Sequence, residues 1–251
     1  MTLRQFFVRE ISLACVLLIA HGAAIARSGI ERSDPPVQGF FAKSLDCEGI
    51  PVRSSAAVED RALQIACDKI TRMLAGIPEA REQLARSGAE LHIIGRDEQT
   101  SDLPEFRDQR GRTYVDNTGH ATTIDERTRG KGGLLTSCGE ENLLRLPSDR
   151  YRGGNDICIH EFSHAIMGFG FGNVQRRAIR DQYERAMRSG LWRGSYAATN
   201  AAEYWAELSA WYFGFHGSRR IEGQLPGDGP EGLRSYDPEG YFLLDRLYNG
   251  R

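Results

Sequence analysis

Asp156-Ile157-Cys158-Ile159-His160-Glu161-Phe162-Ser163-His164-Ala165-Ile166-Met167-Gly168 is the stretch that decides how this chain is read. Ile157, Ile159, Phe162, Ala165, Ile166 and Met167 leave only a narrow polar stripe, which predicts a buried helix. His160 and His164 stand four residues apart, so on a helix they share one face about one turn apart. Both imidazoles can therefore reach one metal ion. Glu161 follows the first of them and can accept a proton from a water in the metal's open position. Gly168, Gly170 and Gly172 end the helix, as glycine commonly does beyond a C-terminus. Two histidines and a glutamate in so apolar a helix are costly to bury unpartnered. A metal supplies the partner.

His160-Glu161-x-x-His164 is the H-E-x-x-H pattern of zinc peptidases. The pattern is short and also occurs on ordinary surface helices; here the apolar flanks favour the metal. A catalytic zinc site uses three protein ligands and keeps one position open. The metzincin pattern would place a glycine three residues, and a histidine six residues, after the second histidine. Met167 and Gly170 occupy those positions, which excludes that class. The third ligand must come from further on. Tyr196-Ala197-Ala198-Thr199-Asn200-Ala201-Ala202-Glu203-Tyr204-Trp205-Ala206-Glu207 opens a second apolar helix with two acids four residues apart. One carboxylate can bind the metal while the other fixes the ring of a ligand histidine, as bound imidazoles generally require. The rival reading has both acids solvated or paired with Arg219 and Arg220.

Together, His160-Glu161-Phe162-Ser163-His164 and Tyr196-x-x-Thr199-Asn200-x-Ala202-Glu203-x-x-Ala206-Glu207 resemble the catalytic domain of the anthrax lethal factor family, zincin-type zinc metallopeptidases. The resemblance covers about residues 130 to 250. It implies one zinc held by His160, His164 and Glu203, with Glu161 as general base. It further implies that Tyr196 donates its hydroxyl to the oxyanion and that Glu207 supports a ligand histidine. Nothing here resembles that toxin's receptor-binding or substrate-docking domains, so its targets are not carried over.

Residues 1–26 read as a secretory signal peptide. Arg4 and Arg9 precede an apolar run over residues 11–20, and Ala24-Ile25-Ala26 fits a small-residue cleavage site. The run is shorter than the roughly 20 residues a membrane span needs. Residues 27–251 are expected to form a single domain, secreted or periplasmic, with no stable membrane insertion. Removing Arg4, Arg9 and Glu10 takes 32 basic and 34 acidic residues to 30 and 33, so nothing favours nucleic acid or an anionic surface. Cys47, Cys67, Cys138 and Cys158 remain after the leader. An even count in an exported chain predicts two disulfides; of the three possible connectivities the nearest-neighbour one, Cys47–Cys67 and Cys138–Cys158, is favoured. The absence of any C-x-x-C counts against cysteine zinc ligands.

Residues 27–53, with Pro35-Pro36 and several glycines, read as irregular. A helix is expected from Ser54 or Ser55 to about Ala75, a short one over residues 79–86 and a strand over residues 91–94. His92 alternates with apolar neighbours and reads as a packing or surface histidine. Residues 100–133 are loop-rich, and a long loop in a compact domain is often functional; its lone His120 carries no role. Residues 134–137 and 142–146 read as short strands, and residues 174–187 as an amphipathic helix. Asp237 and Pro238 open a final helix. The fold class is thus α+β, zincin-like, with a small mixed sheet, an active-site helix and a downstream helix carrying the glutamate ligand. The expected function is secreted metalloendopeptidase, acting on a peptide or protein. Two rivals stand: a zinc amidase acting on cell-wall or other non-protein amides, and a secreted binding protein stapled by zinc.

Overall fold

The computed structural model describes residues 29–116, 119–151, 154–217, 221–223 and 226–250. The expected leader, residues 1–26, lies outside them, as do Arg219 and Arg220. The chain is α+β, with a mixed six-stranded sheet packed against helices. No helix among the described residues is long and apolar enough to cross a membrane.

The first departure from expectation comes early. Residues 27–53 are not irregular but form β1 (Glu31–Val37), β2 (Phe41–Cys47) and β3 (Ile50–Ser54), an antiparallel meander. Pro35 and Pro36 are tolerated because β1 is an edge strand, where a missing N–H breaks no ladder on the open side. Glu48 and Gly49 both have positive φ, 59° and 85°, which makes a two-residue turn matched to strand twist. Glu-Gly is not one of the usual sequence signals for that turn. The alternation of β2 is masked by Lys43, a buried residue whose ammonium reaches the Val58 carbonyl (2.5 Å) and Asp60 (2.9 Å).

From β3 the chain crosses through α1 (Asp60–Leu74) and α2 (Pro78–Arg86) to β4 (Glu90–Ile94), which lies parallel to β3. A small ribbon follows, β5 (Tyr114–Val115) with β6 (Ala121–Thr122), then the one-turn α3 (Ile124–Arg127). β7 (Gly130–Lys131) returns antiparallel to β8 (Leu135–Gly139), which pairs parallel with β4. Sheet order is β1-β2-β3-β4-β8-β7, so β7 is the second edge. The strand expected over residues 142–146 is instead the short helix α4 (Glu140–Leu143). Its buried polar groups are satisfied by distant partners: Glu140 by Arg96, Glu141 by Arg129 and Asn142 by Asp149.

The helical half comprises α5 (Ile157–Ala165), α6 (Asn173–Arg188), α7 (Ala201–Tyr212), α8 (Gly229–Tyr236) and α9 (Pro238–Tyr248). α8 was not legible through its glycines and proline; burial of Leu233 holds it in place. One core joins the helices to the sheet, with Trp192, Trp205, Trp211 and Tyr204 its largest fully buried side chains. A smaller cluster of Phe41, Ile94 and Leu103 covers part of the other sheet face.

Cys47 and Cys67 form the expected disulfide, tying β2 to α1. The second expected disulfide is corrected: Cys138 and Cys158 are both free thiols and both buried. Cys138 is fixed in β8 between β4 and β7, and Cys158 sits in the first turn of α5. The two thiols touch as small apolar groups inside the core, where burial pushes the Cys138 thiol well up. Titration of the denatured, unreduced chain lacking residues 1–26 is expected to find two thiols. A count of zero would restore the second bridge.

His92 is a buried, ion-paired residue. Its Nδ1 lies 2.6 Å from Glu105 and its Nε2 3.0 Å from Glu90, which also pairs with Arg53 at 2.7 Å. Burial disfavours the imidazolium, but the two carboxylates outweigh it and raise the His92 pKa above its ordinary 6.5. A raised folded value means a contribution fully present below about pH 6.5 that fades as pH climbs through the folded value. Urea midpoints of the wild type are expected to drop across that interval more steeply than those of His92→Gln. Parallel curves would show that the pair contributes nothing to stability.

Candidate metal centre

α5 begins at a built cap. The Asp156 carboxylate accepts from the Ile159 N–H (3.0 Å), and Asn142 Oδ1 accepts from the Ile157 N–H (3.0 Å). Lys69 and Arg145 (2.9 Å) both pair with Asp156, so the buried carboxylate is neutralised where it holds the helix. α7 is capped in the same manner: Asn200 Oδ1 accepts from the N–H groups of Ala202 and Glu203, each at 2.9 Å. The cap leaves Glu203 in the first turn, where the helix dipole favours a negative charge.

The two helices pack directly on each other. Trp205 Nε1 donates to the Ser163 carbonyl (2.9 Å), and the Tyr248 hydroxyl donates to Ser209 (2.8 Å) while meeting Ser163 (3.3 Å). These bonds fix the mutual rotation of α5 and α7. As a result the Glu203 carboxylate lies 3.1 Å from His160 Nε2 and 3.3 Å from His164 Nε2, with 3.3 Å between the two nitrogens. The sequence reading left Glu203 and Glu207 open as ligand and support; the fold separates them. Glu207 reaches the other nitrogen, His160 Nδ1, at 3.1 Å and is buried. A carboxylate there sets the tautomer, placing the proton on Nδ1 and leaving the Nε2 lone pair facing the triad.

His160, His164 and Glu203 form the one such metal-capable group among the described residues. Four ligands at about 2.0–2.1 Å from a tetrahedral zinc stand roughly 3.3 Å apart. The observed spacings of 3.1 to 3.3 Å match that edge length. Two imidazole lone pairs and a carboxylate aimed at one point call for a cation, so the donor set fits zinc.

Glu161 is on the same helix but outside the triad. Burial raises its carboxyl above the usual range, with His160 and His164 acting against that shift. Tyr196 opens a short 3-10 turn, Tyr196–Ala198, and its ring centre lies 6.1 Å from that of His160. Burial first, then Glu203, pushes its hydroxyl up to about 12, so it stays a proton donor at neutral pH. His120 and His216 are not part of the triad; His216 Nδ1 meets Asn155 Oδ1 at 3.2 Å.

Three glycines escaped the sequence reading. A Cβ on Gly130 would lie 2.5 Å from Ile157 Cγ2 and 3.0 Å from Glu161 Cγ. On Gly132 it would lie 2.6 Å from the His164 ring, and on Gly217 2.1 Å from a Glu207 oxygen. The bare backbone of β7 and its continuation therefore runs against the working face of α5. A cluster of glycines over residues 130–133 was the available signal, but glycine also reads as loop.

One zinc per chain is expected on metal analysis of the purified protein, lost in the His160→Ala/His164→Ala double variant. Gly132→Val is expected to weaken zinc by displacing His164, on the order of 10–100-fold as for other misoriented ligand histidines. Unchanged occupancy in the double variant would remove the assignment. No protein-family model matches the chain, and no curated protein matches its sequence, so the case for this site rests on its geometry.

Proposed function

We propose that this chain is a zinc metallopeptidase of the zincin type that hydrolyses peptide bonds outside the cytoplasm. One observation carries the proposal: Glu161 sits on the triad's own helix, beside the metal-capable group, yet takes no part in it. A zinc that served only as a staple would need no such carboxylate. Bound zinc would polarise the scissile carbonyl and bring the acidity of a water to near pH 7.

The remaining work falls to the protein's own groups. Glu161 accepts a proton from the attacking water and returns it to the leaving amine. Tyr196 donates its hydroxyl to the carbonyl oxygen as negative charge builds there. Glu207 keeps the His160 ring in orientation through Nδ1. The peptide is held along β7, an edge strand of the sheet, to which an extended chain can add by main-chain hydrogen bonds. The glycine backbone there lets such a chain approach α5 closely. Export to an oxidising compartment is supported by the leader-like residues 1–26 and by the Cys47–Cys67 bridge.

An unbiased peptide-library cleavage assay, with and without a chelator, tests the activity. Cleavage is expected only without chelator. Glu161→Gln should retain zinc and lose roughly 10²–10⁴-fold in turnover. Tyr196→Phe should lose about 10²–10³-fold with substrate binding nearly unchanged, because its bond forms mainly in the transition state. A folded, zinc-loaded Glu161→Gln with full activity would rule out the mechanism. Cleavage of cell-wall amides but no peptide would favour the amidase.

A further inference from the structure

β7 carries one side chain where a peptide would lie. Its register with β8 pairs Gly130 with Cys138 and Lys131 with Ser137. Side chains alternate along a strand, and residues paired across two strands share a face. A Cβ on Gly130 would meet Ile157 and Glu161 of α5, and one on Gly132 would meet the His164 ring. Both glycines therefore face α5, and Lys131 between them faces the opposite side of the sheet. Along the strand it stands between the residue set against Glu161 and the residue set against His164. The other cations of that far face are paired. Ser137 is in register with His92, and His92 with Arg53, so all three share the face of Lys131. Arg53 lies 2.7 Å from Glu90, and His92 lies between Glu90 and Glu105. Arg129, just ahead of β7, holds Glu141 at 2.7 Å. Lys131 is exposed, and among the described residues no carboxylate lies within ion-pairing distance of it.

We propose that Lys131 sets a substrate preference: it favours peptides carrying Asp or Glu at the position paired across from it on β7. The proposal rests on the peptidase reading of the metal centre, with β7 as the docking strand. A peptide added to β7 would place alternate side chains on the two faces of the sheet. Those turned toward α5 meet glycine backbone and the metal centre. The one opposite Lys131 falls on the far face, where cross-strand neighbours stand about 4.5–5.5 Å apart at Cβ. A carboxylate there makes an opposite-charge pair, and a lysine or arginine there sets like charges directly opposite, which destabilises. Lysine on an edge strand also discourages indiscriminate strand pairing. The same charge thus attracts one class of chain and disfavours another, which is how discrimination is built. Gly130 and Gly132 have no side chains to read the positions on either side.

The test uses the zinc-loaded chain lacking residues 1–26, as wild type, Lys131→Met and Lys131→Glu. Each substrate position in turn is fixed as Glu, Gln or Lys in otherwise random peptide pools, and kcat/KM is measured. At one position the wild type is expected to prefer Glu over Gln about two- to fivefold, the worth of one cross-strand ion pair. Lys131→Met should level the preference there, and Lys131→Glu should turn it toward Lys, with the other positions unchanged. The preference should shrink as salt is raised, because the pair is exposed. No inversion at any position would overturn the proposal and leave Lys131 a guard of the sheet edge. A shift of equal size at all positions would overturn it too, as the mark of a general field rather than a pair. A second readout needs no turnover. Pools carrying a hydroxamate at one end or the other are anchored on the zinc in one register, and their affinities for the three proteins should show the same inversion. Should Lys131→Glu not fold, loss of the preference in Lys131→Met carries the comparison. Inverted binding without any peptide cleavage by the wild type sinks the peptidase reading alone. Cleavage by Lys131→Glu with wild-type preferences sinks the specificity alone. Failure of the wild type to take up zinc overturns both.

Discussion

The rotation of α5 against α7 is the constraint on which the candidate metal centre depends. A turn of either helix by one residue would carry His160 and His164 away from Glu203, because successive side chains on a helix point about 100° apart. Trp205 bonding to the Ser163 carbonyl and Tyr248 bridging Ser163 and Ser209 hold that rotation from inside the core. Asp156 and Asn142 fix the start of α5 and Asn200 that of α7. The centre is therefore held by groups that are not ligands, and most of them are buried, where each unmade hydrogen bond is costly.

Charge is arranged by layer. Beneath the triad, Glu207 faces His160, and Gly217 leaves just enough space for it. At the head of α5, Lys69 and Arg145 offset Asp156 and also lie over the Phe215 ring, at 4.3 and 5.0 Å, so the same contact packs and neutralises. On the side of β7, Arg129 is bound to Glu141 through a paired guanidinium–carboxylate contact inside the fold. Removing one partner of such a buried pair costs about 3–5 kcal/mol, mostly through the charge left behind. The stretch from α3 to β7 is thereby irregular in shape but firmly tethered.

The sequence by itself determined the parts of this protein that depend on local periodicity and residue chemistry. The apolar flanks of His160-Glu161-x-x-His164 and the helical spacing of Glu203 and Glu207 were enough to place two buried helices and a donor set for a metal. The helix over α1, the strand β4 and the Asp237-Pro238 start of α9 were equally legible, since their stripes and caps lie within a few residues of one another. Cys47 and Cys67 were paired correctly from spacing alone.

Tertiary structure decided everything in which partners are far apart in the chain. Burial of Lys43 depends on the Val58 carbonyl and Asp60, so β2 did not look like a strand. Glu140 to Asn142 became a helix because Arg96, Arg129 and Asp149 wait for them. Cys138 and Cys158 were brought into contact without a bond, an outcome that spacing cannot distinguish from a disulfide. Which glutamate faces the triad and which holds His160 from behind follows from the helix crossing, as both share one face in sequence. The same holds for Gly130 and Gly132, since a bare backbone acquires meaning only from what the fold places against it.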